Sequence, residues 1–210
     1  TKYATLKIPA GDKPGIRWID IQGKTIRPPT GSAYNPDEAQ AVVQELKRLI
    51  SVGYKGTIGV TTPFRKQADE VHRILETKEK DLLATLSTRH EFLADTVHKF
   101  QGDERDLMIF SPVVSDGTPT ATLGFLEHTG NLFNVAITRA RAVLVVVGNY
   151  RYCLNSGVSY LSKFASYQAK LSSGGHRKHK LIEQPNTGNY PPVDNPEQVS
   201  EWEKILYTAL

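Results

Sequence analysis

Two kinds of hydrophobic pattern take turns along this chain. Short apolar runs of strand length are separated by longer stretches whose apolar positions recur every three or four residues. IRWIDI, Ile16 to Ile21, alternates apolar and polar positions and predicts a strand. From Asp37 to Ile50, residues Ala39, Val42, Val43, Leu46, Leu49 and Ile50 share one helical face, and Asn35 with Pro36 predicts the cap and first turn. GTIGVTT predicts a short buried strand. FRKQADEVHRIL predicts an amphipathic helix with Phe64, Ala68, Val71, Ile74 and Leu75 facing in. EFLADTV and DLMIFSPVV predict two more strands, and NLFNVAITRA predicts a helix that leads into the strand AVLVVVG. Strands that alternate with helices, and that lack strict polar alternation, predict an α/β domain with a parallel sheet covered on both faces and joined by right-handed crossovers.

The α/β pattern reaches about Asn149 and changes beyond Arg151. SYLSKFASYQAKL predicts one further helix. The Gly-, Pro- and charge-rich stretch after it reads as a linker, and SEWEKILYTAL places Trp202, Ile205, Leu206 and Leu210 on one face of a last helix. The expected organisation is therefore a domain over 1–155, a helix and basic linker over 156–195, and over 196–210 a further helix or a truncated domain.

Composition narrows the class. With 210 residues, 39% hydrophobic and 23% charged, the chain can bury a full core. No apolar run is long enough to span a bilayer and no signal-peptide pattern is present, so no membrane partner is expected. A single cysteine, Cys153, fits a cytoplasmic location. The net charge of +4 leans toward an anionic partner. The chain opens on Thr1 rather than Met and is read as a piece of a longer polypeptide.

Candidate chemistry sits in three places. GKT at Gly23 to Thr25 imitates the end of a phosphate-binding loop, but the position that needs the loop's first glycine holds Trp18. TVHKFQGDERDLMIFS, Thr96 to Ser111, runs from one strand through a polar turn with Gln101, Gly102, Glu104 and Arg105 into a second strand. Ligand-binding residues of open parallel sheets gather at such strand ends, outside the carboxyl edge. The plainer reading is a solvated turn in which Glu104 and Arg105 are surface charge. Third, Arg139 and Arg141 stand directly before the valine-rich strand.

FQG-x-E-x-D, an apolar strand, N-V-A-x-T-R-A-R and a second apolar strand ending in Gly148-Asn149 follow one another in order. This combination resembles motifs V and VI of superfamily 1 helicases, in the branch that holds the RNA helicase of nonsense-mediated decay and the nuclease-helicases. GSAYNPDEAQAV is similar to that family's S-x-x-N-x-x-E-A helix start, and IGVTTPFRKQ to its motif IV. GFLEHTGNLFNVAITRAR is similar to its G-F-L … R-L-N-V-A-x-T-R-A-R pattern. The resemblance runs from about Ile16 to Asn149.

The resemblance implies a RecA-like second motor domain, three-layered with a mostly parallel sheet. Two such domains of one parent chain sandwich ATP and move along single-stranded DNA or RNA. The first domain supplies the phosphate-loop lysine and the acids that hold Mg2+, so this chain alone is expected to hydrolyse ATP little or not at all. Arg139 is then the arginine finger on the γ-phosphate. Gln101 and Gly102 lie beside the phosphates, Glu104 binds the ribose or senses the nucleotide, and Arg141 is structural. Thr62, Thr96, His98 and Lys99 face the strand's phosphates, contacts that carry no sequence information. His98 also fits a satisfied loop histidine, and Phe100 fits the core.

The chain departs from the family where Pro36 replaces an arginine of some relatives. Arg65 is either a substitute for that arginine or an exposed helix residue. His98-Lys99 makes the strand-facing side more basic than in the decay helicase. GGHRKHK reads as a solvated basic linker with a possible backbone-tracking role, and no metal site is expected. SEWEKILYTAL resembles the first helix of small nuclease-like domains. Two other readings stay open: a nucleic-acid-binding module with a degenerate motor, and a structural RecA-like interaction domain.

Overall fold

The computed structural model describes residues 6–100 and 103–172. Gln101, Gly102, the linker and the terminal helix expected near Ser200 lie outside the described residues. Five strands form one sheet in the order β1-β5-β4-β2-β3, every pairing parallel. The strands are β1 Gly15–Asp20, β2 Ile58–Thr62, β3 Leu93–Thr96, β4 Arg105–Phe110 and β5 Ala140–Gly148. The helices are α1 Pro36–Ser51, α2 Arg65–Lys78, α3 Lys80–Arg89, α4 Thr120–His128, α5 Gly130–Thr138, α6 Tyr150–Leu154 and α7 Ser159–Ser172, with a 3-10 turn at Val97–Phe100.

The two sheet faces carry separate cores. On β4 and β5, Leu107, Ile109, Val143, Val145 and Val147 face one way, packed with Val42, Leu46, Val71, Leu75 and Leu86 of α1, α2 and α3. Met108, Phe110, Leu144 and Val146 face the other way, against Phe100, Phe133, Ile137 and Phe164. The period-two alternation of a strand covered on both faces puts apolar side chains in both directions, hence the continuous apolar runs. The parallel sheet covered on both faces is what the patterning predicts, and it is consistent with the RecA-like three-layer fold that the resemblance implies. Phe164 and Ala165 of α7 are buried in the second core, so that core extends past the expected boundary at residue 155.

Local differences from the predicted elements have local causes. β4 stops at Phe110 rather than Val114, because Pro112 has no N–H to donate and Val113 turns to φ 59°. α3 and α4 lack a clean apolar stripe in sequence; each buries one leucine fully, Leu86 and Leu126, with Leu82, Leu83 and Leu123 partly buried against the same cores. The GKT segment is ordinary loop: the Thr25 amide donates to Asp116 O at 2.8 Å and the Thr25 hydroxyl to Val113 O at 3.1 Å, so neither serves a phosphate.

Gly59 decides how closely the 3-10 turn lies on the sheet. A Cβ there would stand 2.4 Å from Met108 Sδ and 2.9 Å from the Phe100 ring. Gly59→Ala is expected to push Phe100 outward and destabilise the domain by about 1–3 kcal/mol. A lowered urea midpoint with an unchanged slope checks this.

Candidate functional site

Both β3 and β4 run parallel to β2, so the chain must travel the length of the sheet between Thr96 and Arg105. Thr96 thus lies at the carboxyl edge and Glu104, directly before β4, at the amino edge. The expectation that this whole polar turn sits outside the carboxyl edge is corrected by the parallel pairing. His98 and Lys99, both exposed, lie on the crossing segment, while Val97 and Phe100 hold it down in the core.

At the amino edge the two arginine-bearing stretches meet. Arg105 pairs with Ala140, and the Arg105 amide donates to Arg139 O at 3.0 Å. Between this pair and Leu107–Val143 the register shifts, giving β5 one more residue than β4. Such a bulge re-aims side chains. Arg141 is exposed there and reaches Asp106 at 3.6 Å, the structural role expected of it. Asp106 is itself buried and accepts from the Thr57 amide at 2.9 Å.

Arg139 caps α5 and is half-buried. Among the described residues its guanidinium bonds only its own last turn, Nε to Val135 O at 3.3 Å and Nη2 to Thr138 Oγ1 at 3.2 Å. Bonds of that length are weak and easily exchanged for a charged partner. Glu104 beside it is exposed.

Arg105 was missed as a structural residue by the sequence reading. It is buried, donates through Nε to Glu91 O at 3.0 Å and through Nη1 to Glu104 O at 2.9 Å, and pairs with Asp103. It therefore fixes the backbone on which Glu104 stands. An arginine opening a wholly buried strand, RDLMIF, was the available signal.

The carboxyl edge gathers Thr62, Arg65, Asp95 and Thr96. Thr62 is buried and its hydroxyl accepts from the Phe64 amide at 3.3 Å, which shapes the turn into α2. Thr96 is half-buried, and its amide and hydroxyl both donate to Asp95. Arg65 pairs with Asp95 at 2.8 Å, at the edge opposite Arg139. Burial alone would raise the Asp95 carboxyl, but the Thr96 amide and the Arg65 guanidinium outweigh it and hold it below its usual range.

Behind this edge lies a buried polar network. Asn35 accepts from the Asp37 and Glu38 amides, as an N-cap should, and its amide group donates to Ser115 Oγ at 3.1 Å and Glu38 Oε1 at 3.3 Å. Glu38 Oε2 accepts from Ser111 Oγ at 2.6 Å and the Val113 amide at 3.0 Å. Gln67 joins α2 to α1 and β4, accepting from the Asn35 amide at 2.8 Å and donating to Ser111 Oγ at 3.0 Å. Pro36 stands at the first turn of the same α1.

This fold and these paired motifs define a RecA-like helicase domain of superfamily 1. Residues 2–151 match the family model described as AAA domain, and the chain belongs to that family. It is 36% identical over 138 residues to helicase sen1 of Schizosaccharomyces pombe, covering 63% of this chain and 8% of that protein. It is 31% identical over 157 residues to the DNA polymerase alpha-associated DNA helicase A of Saccharomyces cerevisiae, covering 71% and 21%. A regulator of nonsense transcripts 1 homolog of Neurospora crassa is 31% identical over 142 residues, covering 67% and 12%. The chain thus spans between 8% and 21% of the length of these relatives. Among the described residues no helix is long and apolar enough to cross a membrane.

Burial raises the Glu38 carboxyl from its ordinary 4.5 to about 7, against the opposing bonds from Ser111, Val113 and Asn35. Between those pH values the folded chain keeps a proton that the unfolded chain releases. Stability is therefore expected to fall as pH rises through this window, by roughly 3 kcal/mol in all, and to stay lowered above it. Urea unfolding at pH 5 and pH 8 checks this against Glu38→Gln, which carries no titrating group. The wild-type loss should exceed the variant's.

Proposed function

We propose that this domain is the second half of an ATP-dependent helicase or translocase motor, with its nucleotide side at the amino edge of the sheet and its single-strand side at the carboxyl edge. The observation that carries the reading is the β4–β5 pairing, which sets Arg139 next to the segment bearing Glu104. In this reading Arg139 leaves its own helical turn and places its positive charge on the γ-phosphate of an ATP held mainly by the first motor domain of the same parent chain. Charge of that kind stabilises the transferring phosphoryl group.

Glu104, an exposed carboxylate on a backbone fixed by Arg105, fits a ribose hydroxyl or a nucleotide-sensing role. Gln101 and Gly102 would complete the phosphate side. This chain's own GKT segment is occupied by protein contacts, so the phosphate loop and the acids for Mg2+ belong to the first domain. Bound there, Mg2+ neutralises phosphate charge.

At the other edge, Thr96, His98 and Lys99 meet a DNA or RNA backbone, with Thr62 shaping the turn beside them. Opposite edges for the two ligands let closure on the nucleotide move the strand contacts as one rigid sheet. The rival reading, a structural domain in which the arginines only brace the sheet, draws on Arg141, whose partner is Asp106.

The test is the strand-stimulated ATPase rate of the full-length parent. Arg139→Ala is expected to lower it about 10³-fold or more with an unchanged melting temperature. Arg141→Ala, which removes an exposed pair, should leave the rate within a few-fold. An unchanged rate in Arg139→Ala would favour the structural reading.

A further inference from the structure

Five large apolar side chains are exposed among the described residues, and one of them, Phe125, leans on a motif residue. Phe125 is 45% exposed, yet its ring centroid lies 5.8 Å from that of Phe64, the buried residue that opens α2 beside Thr62. The ring is braced from below and open above.

Two cations are tied to its neighbourhood through a chain of contacts. Thr122, one turn before Phe125 on α4, accepts from Arg27 Nη1 at 3.3 Å. Arg27 follows Ile26, which exchanges backbone hydrogen bonds of 2.8 and 3.0 Å with Tyr34. Over the Tyr34 ring, at 5.5 Å, stands the ammonium of Lys66, two residues past Phe64. Lys66 is held by its own amide, which donates to Ser32 Oγ at 3.0 Å. The nearby carboxylate of Glu70 is hydrogen-bonded by Arg73 at 2.6 Å and feels the Lys66 charge without a direct bond to it.

An exposed, braced aromatic ring on a surface that also carries an arginine and a lysine matches the chemistry of single-stranded nucleic acid. Every base has a face to stack on the ring, and each flanking phosphate meets a cation. An apolar protein surface would offer neither cation an anionic partner. We propose that Phe125 is a base-stacking platform, with Arg27 and Lys66 on the adjacent phosphates, extending the single-strand path from Thr96 across the mouth of β2 onto α4. This rests on the reading of the carboxyl edge given above.

The experiment measures binding of the full-length protein to a fluorescein-labelled oligothymidylate, and to an abasic strand of equal length, by anisotropy at several salt concentrations. Phe125→Ala should weaken oligothymidylate binding roughly 5- to 150-fold and leave the abasic strand unaffected, with Phe125→Trp restoring affinity. Arg27→Ala and Lys66→Ala should weaken both strands and each lower the salt slope by about one. Equal effects of Phe125→Ala on both strands, or no effect, would overturn the platform. So would a loss of ATPase activity measured without any strand, which would instead put another domain of the protein on this ring. Failure of the wild type to bind either strand would reject the carboxyl-edge reading itself.

Discussion

Everything in this domain turns on one parallel pairing, that of β4 with β5. The hydrogen bond from the Arg105 amide to Arg139 O joins the stretch bearing Glu104 to the stretch bearing Arg139 and Arg141. Backbone pairing fixes position to within a fraction of an ångström, which the proposed approach of Arg139 to a phosphate requires. The extra residue in β5 then separates the two arginines by role. Arg141 turns to Asp106, while Arg139 remains on its helix end with two long, replaceable hydrogen bonds.

The opposite edge is organised by different physics. There a carboxylate, two amides and two hydroxyls are packed out of water, each held by the others. Glu38 accepts the amide of Val113, a β-branched residue at φ 59°, and Thr25 donates to the carbonyl of the same residue. A left-handed valine persists only where its surroundings over-determine it. The network thus holds the β4 exit in a strained turn and, through Gln67, ties it to the turn that carries Thr62 and Phe64. The carboxyl edge is rigid underneath, where it is buried, and basic above.

Much of this was legible in the sequence. Periodicity marked α1, α2 and the strands, and the Asn35-Pro36 pair marked the start of α1, because those signals are local. The edge on which Glu104 stands was not legible, since it depends on β3 and β4 both pairing with β2, a non-local fact. The burial of Arg105 was hidden for the same reason: neighbours distant in sequence cover it. Phe125 was passed over because GFLEH shows no periodic stripe. Its exposure appears only when Phe64 is in place beneath it.

The central claim is that nucleotide and single strand meet opposite edges of one sheet. Amide hydrogen exchange on the full-length parent tests it directly, with ADP–aluminium fluoride and an oligonucleotide added separately. The account predicts that the nucleotide mimic slows exchange over residues 103–105 and 134–141, and that the oligonucleotide slows it over 62–66 and 95–99. Nucleotide protection confined to the carboxyl edge, or none at the amino edge, would contradict it.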